Sequence, residues 1–83
     1  MQVKKDDDFI RLVTALVRLR KSEVMILEIY PSVVSDSRIA RRYFDWLQEN
    51  GFLRLDKINE ANPDASKYIV MPDIKKLLAN LSL

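Results

Sequence analysis

The sequence predicts a small α+β domain that is mainly α-helical with one small β-hairpin, in the order helix, helix, helix, hairpin, helix. Apolar residues recur at helical spacing in several segments, and the single glycine, Gly51, separates the first three helices from two strand-like runs. The composition, 48% hydrophobic and 31% charged over 83 residues, is typical of one folded domain. We therefore expect a single domain with a core over 6–71 and an additional helix over 72–82.

The first helix is predicted over residues 6–20. Three consecutive aspartates at positions 6–8 place negative charge at a helix start, where the helix dipole favours it. The following residues are apolar around most of the helix circumference, and such a helix needs cover on more than one side. We expect the core on one side and, on the other, either the C-terminal helix or a second subunit.

The second helix is predicted over the segment SEVMILEIY, residues 22–30. Ser22 is a suitable N-cap, and Pro31 disfavours a helix that continues past Tyr30. The segment PSVV is then predicted to form a turn that separates this helix from the next one.

The third helix is predicted to begin after Ser35 or Asp36, either of which can cap it, and to end near Asn50. Its apolar residues have helical spacing. They are Ile39, Ala40, Tyr43, Phe44, Trp46 and Leu47. We expect the three aromatic residues to belong to the core rather than to a base-stacking surface. Gly51 supplies the left-handed residue that commonly ends a helix.

Two strand-like runs, FLRLDKI (52–58) and KYIVM (67–71), predict a β-hairpin. The segment between them, NEANPDAS, is polar and rich in turn-forming residues, so the hairpin has a long tip. Pro72 suits the first turn of the last helix. The apolar residues of that helix form one stripe, made by Ile74, Leu77, Leu78 and Leu81.

This order of elements resembles the winged helix-turn-helix superfamily over roughly residues 6–71. The segment SDSRIARRYFDWLQENGFLRL carries most of the resemblance, since a capped helix with a basic outer face ends in a leucine–glycine–aromatic–leucine phrase. That phrase is Leu47, Gly51, Phe52 and Leu53. The resemblance implies that the second helix packs across the third, that the third enters the DNA major groove by its N-terminal half, and that the hairpin is the wing.

The residues expected to contact DNA lie at the start of the third helix and in the hairpin stems. They are Ser35, Ser37, Arg38, Arg41, Arg42, Asp45, Lys57 and Lys67. Arginine offers a planar donor fork to guanine edges and phosphates, and serines at a helix start offer hydroxyl and amide groups to phosphates. A simpler alternative stays open, in which the arginines form a solvated face partly paired with nearby acids and the serines only cap the helix.

The predicted hairpin tip departs from the winged-helix pattern. Wing tips that reach the minor groove usually carry Arg or Lys, whereas this tip carries Glu60 and Asp64 and no cation. Negative charge beside phosphates is repulsive. Either the tip lies off the DNA, with only its stems in contact, or the domain binds something other than DNA.

A homodimer is predicted from the unusually apolar first helix together with the last helix. The expected interface residues are Phe9, Leu16, Leu77, Leu78 and Leu81. A symmetric dimer would present two recognition helices to two half-sites on DNA. In the alternative, the leucines of the last helix simply complete the core of one chain.

The sequence therefore predicts a small intracellular, cytoplasmic regulator of transcription that binds double-stranded DNA. The alternative is a winged-helix protein–protein interaction module, or an accessory subunit of a replication or transcription assembly, because the net charge is only +2.

An enzyme is not predicted, since the chain has no cysteine, no histidine and a single glycine. This composition removes thiol and imidazole catalysis, Cys/His zinc sites and glycine-rich phosphate loops. No cofactor, metal or membrane span is predicted.

Overall fold

The computed structural model describes residues 7–19 and 21–81. Within them it contains four α-helices and a three-stranded antiparallel sheet, so the predicted α+β class is confirmed. The elements are α1 (Asp7–Arg18), β1 (Glu23–Val24), α2 (Ile26–Ile29), α3 (Ser37–Glu49), β2 (Leu53–Lys57), β3 (Lys67–Val70) and α4 (Ile74–Leu81). A 3₁₀ turn, Pro63–Ala65, lies in the loop between β2 and β3.

Helix α1 forms where the sequence predicts the first helix. Asp7 and Asp8 lie in its first turn and Arg18 in its last, so the charges complement the helix dipole. The predicted end residues Asp6 and Arg20 lie outside the described residues. One stripe of α1 is buried in the core, and it consists of Phe9, Leu12, Val13 and Leu16.

The first half of the predicted second helix, 22–30, is wrong because residues Glu23–Val24 form β1. This strand pairs antiparallel with β3, and the Val70 N–H donates to the Ser22 carbonyl at 2.8 Å, so Ser22 is not a helix N-cap. The pairing satisfies backbone groups and buries Val24 completely, which outweighs the helical preference of the segment. The sheet order is β1-β3-β2, with one more strand than the predicted hairpin.

Helix α2 is therefore a single turn. The Met25 N–H donates to Glu28 Oε1 at 3.1 Å, and Lys21 Nζ lies 2.6 Å from Glu28 Oε2. These contacts fix the start of the turn. It ends before Pro31, as predicted, and the Tyr30–Pro31 peptide bond is cis.

Helix α3 is confirmed, with Asp36 as its N-cap and Gly51 as its terminator. Gly51 has a φ of +81°, in the left-handed region, and no atom would lie within 4 Å of a Cβ placed there. Its N–H donates to the Gln48 carbonyl at 3.2 Å, and the Phe52 N–H donates to the Leu47 carbonyl at 2.8 Å. Glycine is therefore needed for its backbone conformation, which closes the helix and directs the chain into β2.

Aromatic side chains join α3 to α1 and to the sheet. The Phe9 ring meets Tyr43 and Trp46 edge-on, with centroid distances of 5.2 and 5.6 Å. On the other side, Phe44 meets Tyr68 of β3 at 5.2 Å. Tyr43 and Phe44 are buried, which confirms their predicted core role, whereas Trp46 is half-buried at the edge of the core.

Strands β2 and β3 form the predicted hairpin. Leu55 pairs with Tyr68, and a β-bulge then shifts the register so that Lys57 lies opposite Lys67 at the base of the tip. Helix α4 follows β3 and packs against α1. It begins at Ile74, two residues after Pro72, and the predicted last residue, 82, lies outside the described residues.

Candidate nucleic-acid interface on the third helix

The start of α3 is held by Asp36. Its Oδ1 accepts a hydrogen bond from the Arg38 backbone N–H at 2.8 Å. This hydrogen bond, helped by the charge of the Arg38 guanidinium and opposed by some desolvation, lowers the pKa of Asp36. Ser35 is exposed and Ser37 is half-buried, so the acid, rather than either serine, caps the helix.

The three arginines at the start of α3 all have exposed side chains, and we call Arg38, Arg41 and Arg42 the arginine face. They differ in their partners. Arg38 is 83% exposed, and its Nη2 lies 3.6 Å from Asp36 Oδ2, which is a loose pair. Arg42 has no ion pair with any residue in 7–19 or 21–81, so its charge is available to a ligand.

Arg41 is held by an acid from the hairpin tip. Its Nε–H donates to Asp64 Oδ1 at 2.7 Å, and its Nη2–H donates to Asp64 Oδ2 at 2.8 Å. The Asp64 side chain is 11% exposed, whereas that of Arg41 is 51% exposed. The contact is thus a two-point ion pair with a covered carboxylate and a half-open guanidinium.

This ion pair changes how both groups titrate. The hydrogen bonds from Arg41 lower the pKa of Asp64, with the arginine charge adding to the effect and desolvation opposing it. The same hydrogen bonds and the carboxylate charge raise the pKa of Arg41. Both groups are therefore charged throughout the neutral range, and the pair has almost no net charge.

The hairpin tip has a different electrostatic role from the one its composition predicts. The tip carries two acids, Glu60 and Asp64, but Asp64 points onto α3 and is neutralised there by Arg41. Only Glu60 stays exposed at the tip as an acid. Two of the three arginines thus have acidic partners, as the solvated-face alternative expects. Arg38 is loosely paired with Asp36, and Arg41 is paired with Asp64, an acid outside α3 and its cap.

The other predicted cations, Lys57 and Lys67, lie side by side across the hairpin, and we call them the lysine pair. Both are exposed and have no ion pair within the described part of the chain. They line an open depression of about 500 Å³ together with Ile58, Asn59 and Glu60. Two cations in direct opposition weaken the hairpin locally, so a bound anion would relieve their repulsion.

Asp45, also expected at the interface, is exposed on α3 one turn after the arginine face. It lies close enough to Tyr68 for its charge to act on that hydroxyl. Burial, and then the charges of Asp45 and Asp64, raise the pKa of Tyr68. Asp45 therefore marks the end of the cationic part of α3.

Two of the five residues expected at a dimer interface are covered within a single chain. Phe9 and Leu16 are each 2% exposed within a single chain, so they have no surface to offer a second subunit. The sequence pattern marked α1 as too apolar, but contacts with α3 and α4 cover those positions. Leu77, Leu78 and Leu81 are half-buried against the core, which leaves only part of their surface accessible.

Two features of the surface were not found from the sequence. Asp64 was identified only as a tip acid, because its partner lies 23 residues away and no local pattern links the two. Within residues 7–19 and 21–81, the large exposed apolar residues are Ile58 and Leu27, at 69% and 44%. A strand-end isoleucine and a helix leucine look like core residues in a sequence, so nothing in the pattern marks them.

Comparison with known proteins finds no matching family model, no matching curated protein and no matching solved structure. None of the helices in the described residues is both long enough and apolar enough to cross a lipid bilayer.

Proposed function

We propose that this chain is a winged helix-turn-helix domain that binds duplex DNA through the first half of α3, with the β2–β3 hairpin as its wing. The observation that carries the proposal is the Arg41–Asp64 ion pair. It holds the hairpin tip against α3, and so brings the loop that leads to the lysine pair next to the arginine face. Cations from a helix start and from an adjacent hairpin are a suitable arrangement for a helix in the major groove with a wing on the backbone.

In this arrangement the two parts of the surface have different tasks. Lysine and arginine side chains that contact phosphates supply affinity by releasing counterions, and an arginine fork supplies base discrimination. Ser35 and Ser37 can add hydroxyl contacts to phosphates, whereas the Arg38 N–H at the start of α3 is already bound by the Asp36 carboxylate. Affinity for duplex DNA is therefore expected to fall steeply with salt.

The test is fluorescence anisotropy with a labelled random-sequence duplex, between about 50 and 200 mM salt. The Arg38→Ala, Arg42→Ala double variant removes two charges from the arginine face and should lose most binding, at least on the order of tenfold at low salt. The matched control is Lys75→Ala, Lys76→Ala, which removes two charges from exposed positions on α4. Equal losses in the two variants would show only a net-charge effect and would refute the proposed surface.

A regulator of this kind would bind as a homodimer, since two copies present two α3 helices to one duplex. The expected dimer residues that stay partly accessible in a single chain form the half-buried stripe of Leu77, Leu78 and Leu81 on α4. Size-exclusion chromatography with light scattering, with and without the duplex, distinguishes the two states. A monomer mass without the duplex, together with a complex of one chain per duplex, would rule out the dimer and leave the DNA-binding proposal standing.

The second candidate is a protein–protein interaction module, and the exposed Ile58 and Leu27 favour it. Ile58 is 69% exposed and lines the same depression as the lysine pair, so a partner chain bound there could cover it. This candidate predicts no duplex binding at low salt and the capture of one specific partner whose binding Ile58→Ser abolishes. Duplex binding that depends on the arginine face would count against it.

A further inference from the structure

The Arg41 guanidinium keeps part of its donor capacity. A guanidinium has five N–H groups, and Asp64 uses two of them, one on Nε and one on Nη2. These two form one edge of the planar group. The adjacent edge, made by Nη1 and the second N–H of Nη2, stays available, and the side chain is 51% exposed. Arg41 can therefore hold Asp64 on one edge and a second planar acceptor pair on the other.

Asp64 is itself firmly placed. It is the middle residue of the 3₁₀ turn, which is closed by the Ala65 N–H on the Asn62 carbonyl at 2.8 Å. The Asn62 N–H donates to Asn59 Oδ1 at 3.0 Å, and the Asn59 N–H donates to Ser66 Oγ at 3.0 Å. A covered carboxylate on a hydrogen-bonded turn fixes both the position and the plane of the guanidinium that it binds.

We infer that Asp64 is a positioning residue that makes Arg41 a reader of one base pair rather than a phosphate contact. The inference rests on the proposed DNA-binding function. A fixed fork with two donors matches the O6 and N7 acceptors of a guanine in the major groove. A phosphate can also accept from an arginine fork, but phosphates carry no sequence information, so a fixed guanidinium plane affects specificity only at a base edge.

The neighbouring residues Arg41 and Arg42 differ in net charge, and we therefore expect them to have different roles in binding. Arg41 is neutralised by Asp64, so the pair adds little to the counterion release that accompanies DNA binding. Arg42 has no ion pair among the described residues, so it contributes a full charge to the phosphate backbone. Two consecutive residues of α3 therefore serve different purposes, one for base discrimination and one for affinity.

The test starts from a preferred duplex, selected with the wild-type protein from a randomised pool, and a scrambled duplex of the same length. Asp64→Asn frees Arg41 and adds one positive charge, so binding to the scrambled duplex should strengthen and its salt slope should steepen by about one. Discrimination between the two duplexes should fall on the order of tenfold. Arg42→Ala should weaken both duplexes by the same factor and make the slope shallower by about one.

Arg41→Lys is the second variant, and it keeps the charge while removing the fork. It should lose discrimination like Asp64→Asn but leave the salt slope unchanged, and circular dichroism verifies that each variant is folded. The inference would be overturned if Asp64→Asn and Arg41→Lys each weakened binding to both duplexes by the same factor, so that discrimination stayed unchanged. That result would leave the proposed function standing. A wild-type protein that binds no duplex at all would refute the proposed function and the inference together.

Discussion

Among the contacts that attach helix α3 to the rest of the molecule, two joints have opposite character. Toward α1 the joint is apolar, with the Phe9 ring edge-on to Tyr43 and Trp46 at 5.2 and 5.6 Å. Toward the hairpin tip the joint is ionic, with Arg41 on Asp64 at 2.7 and 2.8 Å. The apolar joint excludes water, whereas the arginine of the ionic joint is half in solvent.

The two joints differ in how strongly they respond to pH and salt. Burial of aromatic rings is nearly insensitive to pH and salt, so the α1–α3 joint keeps its strength under all ordinary conditions. A half-exposed ion pair is screened by salt and weakened when its acid is protonated. The hairpin tip is therefore the adjustable side of α3, and it is also the side that would meet DNA.

The largest effect is expected at the apolar joint. Phe9→Ala removes a ring that is 2% exposed and should lower the free energy of unfolding by about 3–5 kcal/mol, because it leaves a cavity. Urea denaturation followed by tryptophan fluorescence measures this, since Trp46 contacts the ring. Phe9→Leu is the control and should lose less, as it keeps most of the apolar volume. Equal stability of wild type and Phe9→Ala would mean that this joint does not hold α3.

An intermediate effect is expected at Gly51, where backbone conformation rather than contact joins α3 to β2. Gly51→Ala should lower the free energy of unfolding by about 1–2 kcal/mol, because an L side chain disfavours a φ of +81°. Gly51→Asn should cost less, since asparagine tolerates the left-handed region better. Because no atom lies within 4 Å of the added Cβ, a loss in Gly51→Asn larger than in Gly51→Ala would contradict the conformational explanation.

The smallest effect on stability is expected at the ionic joint, and its signature is the pH dependence. The pKa of Asp64 is lowered in the folded protein, so its stabilisation is complete above its ordinary pKa of 3.8 and is lost as the pH falls through the folded pKa. Asp64→Asn should be less stable than wild type at pH 7, and the difference should vanish in acid. Thermal melts from pH 7 downward measure it.

Asp36 provides the control for that measurement. Its pKa is also lowered, so wild type and Asp64→Asn should both keep the acid sensitivity that Asp36 contributes. Asp36→Asn should remove this shared acid sensitivity of the stability. The stability difference that is due to Asp64 should stay the same. If the stability difference between wild type and Asp64→Asn stayed constant down to the most acidic pH at which the protein is folded, the ionic joint would not stabilise the fold.

The apolar joint between α1 and α3 could be predicted from the sequence, whereas the ionic joint between α3 and the hairpin tip could not. Helical spacing places Tyr43 and Phe44 in the core, and Gly51 marks the end of α3, because both signals act over a few residues. The Arg41–Asp64 pair depends on how a loop of the hairpin folds back over 23 residues of chain, and the acids expected near the arginines were those of α3 and its cap.

The same limit explains the error in the second helix. Glu23 and Val24 have no strong local preference that resists a helix, and their strand exists only because β3 lies beside them with free backbone groups. The burial of Phe9 and Leu16, two residues expected at a dimer interface, has a related explanation. An apolar residue pattern shows that a helix needs cover, but it does not show which neighbour provides that cover.

The architecture of the sheet also bears on the solution behaviour of the protein. Both outer strands of the order β1-β3-β2 make poor templates for a further strand: β1 has two residues, and β2 is interrupted by the bulge before Lys57. Short or bulged edges with exposed charges hinder the edge-to-edge stacking that leads to fibrils. We therefore expect these sheet edges to contribute little to edge-to-edge polymerisation of the folded protein at high concentration.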